Sequence, residues 1–84
     1  MQIETRDIYC GAYILTRGGR LAQAKVTQGK NNRHYVTLTF TGATVEKDSE
    51  EYRSGRAVAN VATLKNAVEE LKDVVYEKLR AVGE

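Results

Sequence analysis

The stretch 60–83 constrains the fold of this chain more than any other. On a helix at about 100° per residue, Val61, Leu64, Ala67, Val68, Leu71, Val74, Val75, Leu79 and Val82 fall within an arc of about 140°. Asn60 is placed to cap that helix and Gly83 to end it. A helix carrying so wide an apolar stripe needs another layer to cover it, and a chain of 84 residues has room for one small layer. Ile, Leu, Val and Phe supply 19 of the 84 residues, just above the one-fifth level below which chains stay disordered. The expectation is one folded domain, residues 1–84, with a modest core.

Alternation identifies the covering layer. In His34–Thr41, Val36, Leu38 and Phe40 point one way, while Tyr35, Thr37, Thr39 and Thr41 point the other, a strand with one buried face. Arg20–Gln28 also reads as a strand, with Ala22, Ala24 and Val26 on one face and Leu21, Gln23, Lys25 and Thr27 on the other. The polar turn between them, residues 28–33, is short enough for an antiparallel hairpin.

Residues 6–17 admit two readings, because Ile8, Cys10, Ala12 and Ile14 alternate with Tyr9, Gly11, Tyr13 and Leu15 and both rows are apolar. End signals favour a helix: Thr5 as cap, Asp7 in the first turn, and Arg17 before the Gly18-Gly19 stop. A short helix is expected over 48–54, with Asp48 as cap, Glu51 in capping-box position and Gly55 at its end. The predicted fold class is therefore α+β: an N-terminal helix, a β-hairpin, a short helix, and a long amphipathic C-terminal helix packed on the sheet.

Thr5-x-Asp7-x-Tyr9 leading to Ala12 and Leu15, the Gly18-Gly19 stop, a strand ending at Phe40, Tyr52 followed by Gly55, and Leu71-Lys72 form a pattern over most of the chain. It resembles a family of short bacterial and phage domains catalogued as being of unknown function. The resemblance implies no activity, and the chain departs from it at Cys10 and at Gly11, a weak helix former.

The residue inventory argues against catalysis. A nucleophile could come only from Cys10, Ser49 or Ser54 paired with His34, the single histidine, and Cys10 lies in the most apolar segment, where a thiol is inert. One cysteine and one histidine do not make a zinc cage, and Glu46, Asp48, Glu50 and Glu51 lack calcium-loop spacing. Gly18-Gly19 has neither phosphate-loop nor dinucleotide-loop context. No cofactor is expected. The lone cysteine and residues 1–7, which lack signal-peptide order, lead to the expectation of a cytoplasmic protein. The apolar run 8–15 falls short of the ~20 residues of a membrane span, so no membrane partner is expected.

Charge is unevenly placed. The net charge is only +2, but residues 1–40 hold six basic and two acidic groups, a net +4. Arg20, Lys25, Lys30 and Arg33, with Asn31, Asn32, His34 and Tyr35, put phosphate-binding cations beside groups able to stack on bases or hydrogen-bond to them. The functional expectation is a non-enzymatic accessory module that binds DNA or RNA weakly through this hairpin. The alternative is a protein-binding or self-associating regulatory module of the phage-encoded or mobile-element-encoded kind. For that reading the long helix offers Leu71, Val75, Leu79 and Val82 as a homodimer interface, since its stripe is long for a two- or three-stranded sheet.

Overall fold

The computed structural model describes residues 1–83, with the side chain of Asn32 excluded. The elements run β1 (Gln2–Thr5), α1 (Ile8–Thr16), β2 (Arg20–Gln28), a 3-10 turn (Lys30–Asn32), β3 (His34–Thr41), α2 (Val45–Arg53) and α3 (Val61–Ala81). The sheet is antiparallel throughout, in the order β1-β3-β2. The fold is α+β, with the long helix where its periodicity places it and Asn60 capping it through Oδ1, which accepts from the Thr63 N–H at 3.0 Å.

The added strand is β1. It has only two inward positions, Ile3 opposite Phe40 and Thr5 opposite Leu38. It also moves the start of α1. Thr5 belongs to the strand, and Asp7 is the cap, its Oδ1 accepting from the N–H groups of Tyr9 (2.9 Å) and Cys10 (3.2 Å). The Thr5 hydroxyl instead accepts from the Asp7 N–H at 3.1 Å and braces the step from strand to helix. The stretch 6–17 resolves as helix over Ile8–Thr16, and the reason it shows no clean periodicity is that α1 is enclosed. Cys10, Gly11, Ala12, Tyr13 and Ile14 are all buried, between the sheet, α2 and α3.

Gly11 is required by this packing. A Cβ there would lie 2.6 Å from Phe40 Cζ and 3.0 Å from Leu71 Cδ1, so its absence lets the ring rest against the helix backbone. The weak helix former is the residue that admits the only phenylalanine.

Two boundaries differ from the sequence expectation. In β2 a bulge falls between Leu21 and Gln23, so Leu21 pairs with Phe40 and faces the core with Ala24 and Val26, while Ala22 is exposed. In α2 the cap position is Thr44 and Asp48 lies inside the helix, 1% exposed. Its Oδ2 accepts from the Thr44 hydroxyl at 2.9 Å, and its Oδ1 lies 3.7 Å from Arg17 Nε. The earlier start puts Val45, fully buried, against the turns at Gly19 and Gly42. Asp48 thus ties α2 to the end of α1 instead of capping a helix.

The helices contribute to one side of the sheet. Val36, Leu38 and Phe40, with Leu21, Ala24, Val26 and Ile3 beside them, pack with Cys10, Ala12, Ile14, Val45, Ala67, Val68 and Leu71. The other side belongs to the alternate residues of the three strands.

Candidate nucleic-acid interface

The open face is built on the outward row of β3: Tyr35, Thr37, Thr39 and Thr41. Register places Thr27, Lys25, Gln23 and Arg20 of β2 across from them in that order, and Glu4 and Gln2 of β1 across from Thr39 and Thr41. β-branched residues suit such a row because their stiff side chains stand off the pleat without losing further rotamer freedom. Thr39 at the centre is 6% exposed, flanked on both sides by the longer Gln23 and Glu4.

Arg6, which follows β1, reaches over this face, its guanidinium carbon 4.4 Å from the centre of the Tyr35 ring. At a partly exposed site such a cation–π contact contributes about 0.5 to 1 kcal/mol. Tyr35 is therefore already stacked, and a base would share or replace the guanidinium plane. At the tip, Asn31 adopts φ 62°, and the Gly29 N–H donates to the Arg33 carbonyl at 2.6 Å. This closes the turn and leaves Lys30, Asn31 and Arg33 exposed.

Of the sequence candidates, Arg20, Lys25 and Tyr35 share the open face, and Lys30, Asn31 and Arg33 form its tip. The side chain of Asn32 lies outside the described residues. His34 is separated from the group, because it alternates with Tyr35 and is turned to the side of Val36. Arg6 and Gln23 join it. Gln23 was legible from the strand, whereas Arg6 depended on β1. Among the described residues, the face and tip carry five cations, Arg6, Arg20, Lys25, Lys30 and Arg33, against the carboxylate of Glu4. From Arg20 to the tip they extend on the order of 30 Å along the strand.

The remaining polar chemistry is structural in geometry. Cys10 is 4% exposed with Sγ 3.9 Å from Ser49 Oγ, and burial above all raises its thiol pKa. The Tyr52 hydroxyl donates to Asp7 Oδ2 and the Tyr13 hydroxyl to Glu51 Oε1, both at 3.0 Å. Burial first, then those carboxylate partners, push both phenols up. Among the described residues no three His, Cys, Asp or Glu side chains form a metal-holding group, and no helix is long and apolar enough to cross a membrane. Cys10 should react with a water-soluble thiol reagent at least tenfold more slowly in the native state than in denaturant. Equal rates would show that α1 opens freely.

The proposed interface residues of the long helix divide. Leu71 is 1% exposed and belongs to the core, Val75 and Leu79 are half-buried against it, and Val82 is 42% exposed. Leu71 is thus unavailable to a second chain. More apolar surface is exposed at the opposite end of α3, where Val61 (80% exposed) and Tyr9 (53%) line a groove with Leu64 and Val68. Comparison of the chain with family models, with curated proteins and with solved structures finds no match.

Proposed function

We propose that this chain is a non-enzymatic nucleic-acid-binding module that lays the open face of its sheet and its hairpin tip along a phosphate backbone. The observation that carries the reading is the segregation of charge: among the described residues, five cations and one carboxylate on the face and tip that the helices leave uncovered. Phosphate contacts supply affinity, and Tyr35 with Arg6 supplies a stacking platform for unpaired bases.

Salt titration of oligonucleotide binding tests it. Weak binding at low salt should fade with a slope of about 0.7 to 0.9 in log affinity per log salt for each phosphate neutralised. Replacing Lys30 and Arg33 by glutamine should reduce both affinity and slope, and Arg20 with Lys25 should do the same. Replacing Lys65 and Lys72, on α3 beside Glu69, Glu70 and Asp73, should leave both unchanged. Tyr35→Ala should weaken single-strand binding more than duplex binding. Undetectable binding at low salt, or equal loss from all three pairs, rejects the reading. The second reading, a protein-binding module, then moves to the groove of Tyr9, Val61, Leu64 and Val68, where Tyr9 and Val61 are exposed.

A further inference from the structure

β1 is an edge strand, and its backbone polarity can be assigned. The Met1 carbonyl accepts from the Gly42 N–H at 3.4 Å, and the pairing continues as Gln2 with Thr41. In an antiparallel ladder successive residues direct their backbone groups to opposite sides. Met1, Ile3 and Thr5 therefore serve β3, and Gln2 and Glu4 turn their N–H and C=O groups to the open edge.

That edge forms one wall of a groove of about 510 Å³, with Glu46, Ser49 and Glu50 of α2 along the other. At its end a smaller pocket of about 140 Å³ is lined by Cys10 and Ser49, with Glu4, Asp7 and Tyr52 around it. A strand edge facing a helix across a groove is the arrangement by which extended peptides are added to sheets. Charge selects the occupant. Among the described lining residues Glu4, Asp7, Glu46 and Glu50 surround the groove and its end pocket, and the cation there, Arg53, pairs with Glu50 at 3.2 Å. A second copy pairing β1 to β1 would set these carboxylates against each other.

We infer that the β1–α2 groove receives an extended, basic segment of a partner protein as a fourth strand, with alternate lysine or arginine side chains on the α2 side meeting the carboxylates of Glu46 and Glu50. The site shares Gln2 and Glu4 with the rim of the open sheet face, but its recognition through the β1 backbone, Glu46 and Glu50 does not depend on nucleic-acid binding.

The probe is an acetylated, amidated hexapeptide alternating lysine and valine, followed by amide hydrogen exchange on the whole chain. Saturating peptide should slow exchange of the Gln2 and Glu4 amides at least tenfold, while a glutamate–valine peptide should have no effect. N-methylation of alternate peptide amides on the pairing side should abolish protection. Glu46→Gln with Glu50→Gln should weaken binding at least fivefold while leaving exchange of the β3 amides unchanged, which separates lost recognition from lost folding. Absence of binding, binding that survives N-methylation on either side, or protection confined to β2 overturns the inference. So does peptide-free protection of Gln2 and Glu4 that rises with protein concentration, since the occupant would then be a second copy.

Discussion

Phe40→Ala should remove about 3 to 5 kcal/mol of stability, against a total of roughly 4 to 13 kcal/mol for a domain of this length. Phe40 is fully buried, pairs with Ile3 on one side and Leu21 on the other, and rests on the α1 backbone at Gly11. The loss should be read as a lower urea midpoint, or as failure to fold. A paired substitution identifies its origin. Gly11→Ala alone should destabilise by about 1 to 2 kcal/mol, because overpacking outweighs the ~1 kcal/mol that alanine gains over glycine in a helix. In the Phe40→Ala background the obstacle is gone, and the same change should become neutral or stabilising. Equal effects of Gly11→Ala in both backgrounds would show that the ring is not what excludes a side chain there.

Leu71→Ala should cost about 2 to 5 kcal/mol, whereas Val82→Ala should stay within about 0.5 kcal/mol. Leu71 meets Gly11 and lies within the core, while Val82 is the helix C-cap residue and largely exposed. The contrast measures where the apolar stripe of α3 stops being core, and chemical denaturation of the two variants reads it directly. Similar losses at both positions would mean that the C-terminal end of α3 is covered in solution, and sedimentation would then identify a second copy as the cover.

Where one physical effect dominated, the sequence was readable. The long helix and β3 each have one buried face, so period alone located them and oriented Val36, Leu38 and Phe40 correctly. α1 was ambiguous for the reason that makes it central: neighbours on several sides erase periodicity. β1 is too short to display any, with Ile3 as its one apolar inward residue. The bulge at Ala22 leaves no compositional mark, so it reversed the assignment of Leu21. Asp48 and Glu51 carry the spacing of a capping box, but Thr44 and Arg17, which give Asp48 its partners, are neighbours only after folding. The candidate site inherits these limits. Its cations along the hairpin were legible, Arg6 was lost with β1, and His34 was grouped with Tyr35 although strand alternation separates them.

The central strand of this sheet is the last of the three in chain order. β2 and β3 are joined by a tight turn and can pair as soon as both exist, but Ile3 must wait for Phe40, across most of the first half of the chain. Closing so long a loop adds only a slowly growing entropic cost, yet it orders events: hairpin early, β1 late. During synthesis α1, apolar on nearly every side, emerges before the strand that will cover it. The nascent chain must therefore keep that helix from other apolar surfaces until Phe40 arrives to rest on Gly11.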